Sequence, residues 1–381
     1  MRGGTRMLGV VVGIALLGGA WDARAAESYK IGQSVALSGY LATVDRAWKD
    51  AVVLAVEDLD RKGGIGGRQA EVVFEDMRSE PVDAVSVIKK LLSSDHVNIL
   101  LNGCSSAGNA AAAPLVERAE TPMLLCSILP PKQENHKWAF SFLPPPAFEV
   151  EPRLAYLQKS TKIRKIGILY DPSPYANLQK KIAEDSAAKF GLQVVGAEQY
   201  QQTDADMTAY ISKLTAAGAG AILKMGVGPS TLTIAKAIKQ LGLSLPLLTS
   251  TEDVAVFRGV AGVLGRQFFF VAGPSQVYEA LPQGSESAKA VGEFVKRWKE
   301  KYGDRDTLWA ARGWDAVQVT ALAVKKAGSV GGAKVRAALE GITGYQGAGG
   351  QYDFSAANHY GITKNPFLLA QIIDGKVSLV K

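Results

Sequence analysis

Residues 101–110 read LNGCSSAGNA. An apolar run, Val97 to Leu101, enters a small turn, Gly103-Cys104-Ser105-Ser106, and a run of alanines follows. The pattern is a strand, a tight turn and the start of a helix. Such a turn can present a serine nucleophile. It can equally bind an anion, because the first turn of a helix leaves N–H groups free and its dipole favours negative charge.

Outward from this stretch, strands and helices alternate. Lys30 to Leu37 reads as a strand and Thr43 to Lys62 as a helix, with Ala47, Ala51, Leu54, Ala55 and Leu59 on one face. Gly63-Gly64 ends that helix. Glu71 to Glu75 is a strand, and Pro81 to Leu92 a helix with Val85, Ile88 and Leu92 at helical spacing. Val97 to Leu101 and Pro122 to Leu125 are strands on either side of the alanine-rich helix. Alternation of this kind predicts a parallel sheet covered by helices on both faces. The pattern then restarts. Lys165-Ile166-Gly167 repeats Lys30-Ile31-Gly32. A strand to Tyr170, a helix to Phe190, a strand at 192–195, a helix at 207–217 and a strand at 221–225 follow. The last of these ends in Gly226-Val227-Gly228-Pro229-Ser230, a glycine-rich turn in the place of Gly103 to Ser106.

The reading is therefore two similar α/β lobes. Ligands of open α/β sheets bind at the carboxyl ends of the strands, so facing lobes make a cleft. Three stretches read as crossings between them: Leu143 to Pro146, Gly273 to Ser275 and the glycine-rich Gly344 to Gly350. Lobe one is expected over 28–143 and 276–343, and lobe two over 144–275 and 344–381. The last part, from Gln351 to Val380, reads as short strands completing lobe two.

The 381 residues suffice for two domains, and 47% hydrophobic with 21% charged residues suits a globular chain. A net charge of +7 without a basic, aromatic-interleaved cluster argues against nucleic-acid binding. Arg2 and Arg6 precede an apolar run from Met7 to Leu17, and Ala23-Arg24-Ala25 is a small-x-small cleavage pattern. Residues 1–25 read as a secretory signal peptide, too short in its apolar part to span a bilayer. No later stretch reads as a membrane span. Export makes a Cys104–Cys126 disulfide reasonable, and two free buried thiols fit equally. With no CxxC and no His-x-x-x-His, neither a metal nor a cofactor is expected.

Gly103 to Ala107 nearly matches the G-x-S-x-G nucleophile elbow, but Ala107 replaces its second glycine. Of the three histidines, His96 precedes a strand, His136 lies in a polar loop, and His359 alone follows in triad order. No HGGG-type stretch is present, and a duplicated pattern is not that of a hydrolase sheet. An anion site needs less: Ser105 and Ser106 add hydroxyls to the helix N-terminus, and Ser127 follows the next strand. Each serine also fits an ordinary helix cap.

SVALSG at 34–39, DLDRKGGIGGRQAEVVFED at 58–76, NGCSS at 102–106, YDPSPY at 170–175 and WAARGWDAV at 309–317 stand in one order. In that order the chain resembles the leucine/isoleucine/valine-binding type of periplasmic solute-binding protein, the type I periplasmic binding fold, over residues 28–381. The resemblance implies two lobes on a three-stranded hinge, closing on a small ligand. It implies that Ser105 holds a ligand carboxylate and that Ser127, Ile128 and Leu129 add contacts. Tyr175 is implied to touch the ligand, Trp309 to cover it, and Val227 with Gly228 to line the opposite wall. Tyr40 and Val44 join this wall, Tyr40 fitting hinge packing equally well, and Trp314 reads as core. Relatives often bridge the NGCSS cysteine to one near Met77 and Arg78, which this chain lacks. In amino-acid binders an acid of lobe two holds the ammonium group. If Glu252 faces the cleft, an amino acid is implied. If Ser250 or Thr251 does, an amine-free carboxylate such as an aromatic or 2-oxo acid fits better, because an unpaired buried charge is costly.

The resulting expectation is a non-enzymatic, monomeric, periplasmic receptor. It captures a small hydrophobic carboxylate and delivers it to the membrane permease of an ABC importer. A secreted serine hydrolase and a ligand-binding sensor module are the alternatives.

Overall fold

The structure is a computed structural model describing Met1 and residues 27–130 and 137–380. The expected signal peptide beyond Met1, and His136, lie outside the described residues.

The first lobe is built from β1 (Tyr29–Val35), α1 (Ala42–Asp60), β2 (Ala70–Asp76), α2 (Pro81–Ser93), β3 (Ile99–Asn102), α3 (Ser106–Ala119), β4 (Met123–Leu125) and β5 (Ala139–Ser141). Its sheet has the order β2-β1-β3-β4-β5, parallel throughout. The chain crosses at 143–146 into α4 (Ala147–Ser160), β6 (Lys165–Tyr170), α5 (Pro174–Ser186), β7 (Gln193–Gln199), α6 (Thr208–Ala216), β8 (Ala221–Met225), α7 (Ser230–Gln240), β9 (Leu247–Thr249), α8 (Val254–Leu264) and β10 (Phe268–Ala272). Here the order β7-β6-β8-β9-β10 repeats that of the first lobe strand for strand. The duplicated lysine-isoleucine-glycine start is a duplicated sheet.

After β10 the chain returns through α9 (Glu286–Tyr302), α10 (Leu308–Ala327) and α11 (Gly332–Leu339). α10 packs along α1. The apolar face read in α1 is where they meet: Ala47, Ala51, Leu54 and Ala55 are buried beside Trp48. Gly313 makes the approach close, since a Cβ there would stand 2.6 Å from the Trp48 carbonyl oxygen. Glycine inside a helix costs about 1 kcal/mol relative to alanine; here it lets two backbones meet.

The third crossing differs from the expected one. Residues 345–352 form a hairpin, β11 (Tyr345–Gln346) with β12 (Gln351–Tyr352), closed on the first lobe. Asp315 of α10 accepts the N–H groups of Ala348 and Gly349 at 2.8 and 2.7 Å. The Ser141 N–H donates to the His359 carbonyl, and Gly361 N–H to that of Ser141, so residues 359–361 run beside β5. Tyr352, Phe354 and Ile362 are buried in the cluster that holds Phe140 and Phe142. The expected assignment of 344–381 to lobe two therefore divides: the segment through Ile362 packs on the first lobe. The chain enters the second sheet at β13 (Leu368–Ile373), antiparallel to β10 and followed by β14 (Lys376–Leu379). Aromatic burial, not glycine content, decides the boundary.

Candidate functional site

The turn after β3 is held from several sides. Ser105 is the N-cap of α3, and its Oγ accepts the Gly108 N–H at 3.0 Å. The Asp45 carboxylate takes the N–H groups of Cys104 and Ala36, each at 2.7 Å. Cys104 is disulfide-bonded to Cys126, with Cα atoms 4.5 Å apart. This resolves the two readings left open by the cysteine count, and the bridge joins the residues just before Ser105 and Ser127. Asn109 completes the link, its Nδ2 donating to the Gly103 carbonyl at 2.9 Å and to Ser127 Oγ at 3.0 Å. Ser127 Oγ in turn donates to the Ile128 carbonyl. Ser106 is buried in the first turn of α3.

In the second lobe Tyr175 stands in the first turn of α5, capped by Ser173. Its hydroxyl donates to Glu149 at 2.5 Å and accepts from Gln179 Nε2 at 3.1 Å. Burial, then the Glu149 charge, pushes the Tyr175 hydroxyl well above its usual range. Glu149, in the first turn of α4, also accepts the Thr251 N–H at 2.8 Å and the Thr251 hydroxyl at 3.2 Å. The Gly228 N–H donates to Glu252, whose other oxygen accepts the Asp253 N–H at 3.1 Å. Gly228 has φ +124°, a conformation that favours glycine. Burial raises the Glu252 pKa, opposed by the charge of buried Lys224. Ser250 donates to Gln179 at 2.8 Å. Thus Glu252, Thr251 and Ser250 are all buried, and each already has a partner.

The two sets meet. α3 touches α5, and Tyr175 and Val227 pack into the first-lobe cluster that contains Ile128, Val44 and Trp309. Tyr40 is half-buried against this cluster, its hydroxyl pushed up to about 12 by burial and then by Asp171 of the second lobe. Trp314 is core, 6.0 Å from the Phe294 ring. Leu129 departs from its expected place on the wall: its side chain joins Ile88, Leu125 and Trp138 in another cluster. Glu149, Lys224, Asn109 and Arg312 were not singled out from the sequence. Arg312 had a signal, since it lies in WAARGWDAV, every residue of which is buried.

The residues of the rival triad are otherwise engaged. The ring nitrogens of His359 meet the Ala139 carbonyl at 2.9 Å and Glu340 at 3.2 Å, and the ring stacks on Phe140. His96 is exposed. Among the described residues no group of acids, histidines and cysteines is arranged to hold a metal, and no helix is long and apolar enough to cross a membrane.

Residues 28–376 match the family described as periplasmic binding protein. The chain belongs to that family. Its type is the leucine/isoleucine/valine-binding, type I one. It is 26% identical over 352 residues to a leucine-, isoleucine-, valine-, threonine- and alanine-binding protein of Pseudomonas aeruginosa, covering 90% of each chain. Its fold is similar to that of a branched-chain amino acid transporter substrate-binding protein from Streptococcus pneumoniae in complex with isoleucine. That TM-score is 0.77 at 23% identity, over 93% of this chain and 100% of the other. It is equally similar to an ABC transporter solute-binding protein from Rhodopseudomonas palustris in complex with benzoate, with TM-score 0.78 at 19% identity, over 93% and 96%. The relatives named above are binding proteins.

Proposed function

We propose that the protein is the exported, periplasmic receptor of an ABC importer. It captures a small hydrophobic amino acid or a related carboxylate, aromatic ones included, and passes it to a membrane permease. The observation that carries this reading is the meeting of lobes: Tyr175 and Val227 bury into the cluster of Ile128 and Trp309, beside the serine-bearing turns. The N-terminus of α3 with Ser105 and Ser106, and the Ser127 loop, line one side of the ligand. Tyr175, Val227, Gly228, Thr251 and Glu252 close from the other side. Ligand binding shifts the population toward the closed form, which the permease distinguishes from the empty one. The capping role of Ser105 and the engagement of His359 support binding over nucleophilic chemistry.

The test is thermal unfolding of the mature protein with matched pairs: leucine and 4-methylpentanoate, phenylalanine and 3-phenylpropanoate, with benzoate added. A ligand at 100 times its Kd stabilises by about 2.7 kcal/mol, a readable shift. At least one member is expected to raise the midpoint. A panel that leaves it unmoved overturns the ligand class.

A further inference from the structure

Three buried cations, Arg153, Lys224 and Arg312, differ in one respect. Arg153 donates from Nε to the Glu149 carbonyl at 2.9 Å, from Nη1 to the Lys224 carbonyl at 2.9 Å, and from Nη2 to Met225 Sδ. Lys224 donates to the Gly226 carbonyl at 2.8 Å. Arg312 is 1% exposed, and its Nη1 is buried with no acceptor among the described residues. Its guanidinium lies 4.7 Å above the Trp309 ring, and Trp309 Nε1 is likewise buried without an acceptor. Two neighbouring donors are therefore unsatisfied in a protein whose buried polar groups are otherwise mostly paired. Leaving such groups unmet is costly, most of all for a charge.

The position is beside the crossings between the lobes. The Phe367 ring, in the third crossing, is 5.5 Å from the Arg312 guanidinium. Glu149, just past the first crossing, and Tyr175 act on its charge from the second lobe. Glu149 directs its carboxylate to Tyr175 and Thr251, and no hydrogen bond joins it to Arg312 among the described residues. Glu252 is likewise held by the Gly228 and Asp253 N–H groups beside Lys224. The charge of each acid is already balanced by a buried cation, Glu149 by Arg153 and Glu252 by Lys224, which leaves little to hold the ammonium group of a zwitterionic amino acid. At Arg312 and Trp309 the unmet groups are donors, and an anionic oxygen meets both.

We propose that Arg312 and Trp309 together hold a carboxylate of the ligand, and that the cargo is an amine-free organic acid. This rests on the receptor reading above and narrows its substrate class. A guanidinium fork matches carboxylate geometry, and the indole N–H adds a third donor.

The experiment measures Kd by titration calorimetry for 4-methylpentanoate, 3-phenylpropanoate and benzoate, for their neutral amides, and for leucine and phenylalanine. Wild type, Arg312→Met and Arg312→Lys are compared, along with their ligand-free melting points. The expected result is a wild type that binds an acid at least tenfold more tightly than its amide and its amino acid. Arg312→Met should then bind that acid on the order of 100-fold more weakly. Its ligand-free melting point should equal or exceed the wild type's, because an unpaired buried charge has been removed. Arg312→Lys, which keeps charge but not the fork, should fall between. If Arg312→Met does not fold, or melts well below wild type, Arg312 is a structural partner of Glu149 and the proposal is overturned. It is also overturned if Arg312→Met binds the acid within threefold of wild type, or if an amino acid binds wild type best; the receptor reading survives both of these. A wild type that binds no carboxylate overturns both.

Discussion

Replacing both cysteines, Cys104→Ala with Cys126→Ala, should weaken the first lobe by about 3 kcal/mol. The magnitude follows from the 22-residue separation of the bridged residues, because closing a loop of that length removes about 3 kcal/mol of unfolded-chain entropy. Against a total of roughly 5–15 kcal/mol for a domain, this is a large share. The assay is urea unfolding followed by circular dichroism, comparing the oxidised protein, the same protein in dithiothreitol, and the double variant. The reduced and variant forms should unfold at a lower midpoint and with a steeper slope, because an uncrosslinked chain exposes more surface. The bridge also sets two loops against each other, since Ser105 and Ser127 each follow a bridged cysteine. Ligand affinity should therefore fall with the midpoint. Equal midpoints for all three forms would refute the argument. They would mean that the cross-link removes little entropy from the unfolded chain.

Two further outcomes follow from buried groups. Asp58 of α1 pairs with Lys62 at 2.6 Å, Arg61 at 3.1 Å and, from α9, Arg297 at 3.2 Å. Burial works against its charge, but these cations hold its pKa below the usual carboxylate value. A lowered folded-state pKa gives stability that is present above the unfolded pKa and lost as pH falls through the folded one. Because the cations are largely exposed, Asp58→Asn should cost only about 1 kcal/mol at pH 7. The gap from wild type should narrow as pH falls below the usual aspartate pKa in urea titrations, and a gap that stays unchanged through that fall sinks the assignment. Tyr175→Phe removes the donor to Glu149 and the acceptor of Gln179. It should destabilise by about 1–3 kcal/mol in urea unfolding, and a variant as stable as wild type would show that those buried groups find other partners.

What the sequence made legible was periodic. Both sheets could be read because apolar runs and amphipathic helices recur in the same order, and β2-β1-β3-β4-β5 and β7-β6-β8-β9-β10 are that recurrence in space. The third crossing was misplaced because Gly344 to Gly350 has the composition of a linker. Its glycines instead serve a hairpin whose N–H groups close on Asp315, a contact 33 and 34 residues away in the chain. The turns that carry Ser105, Tyr175 and Val227 could be read because they follow strand ends. Glu149 and Arg312 could not be found that way, since a charged residue in a helix normally marks its solvated face.

For Arg312 that rule fails for a reason visible in its neighbours. Gly313 lets α10 press against the backbone at Trp48, while Trp309 and Trp314 fill the space on either side. A helix start with this much small and aromatic surface has no solvated face left for a charge. Leu308 to Val317 are buried without exception, so the arginine is carried inside with them. Burying a guanidinium is unfavourable unless something meets it. The same close packing that makes α10 part of the core thus places an unmet donor where the two lobes join. In a helix so enclosed, the residue that looks least suited to its position is the one whose partner most needs explaining.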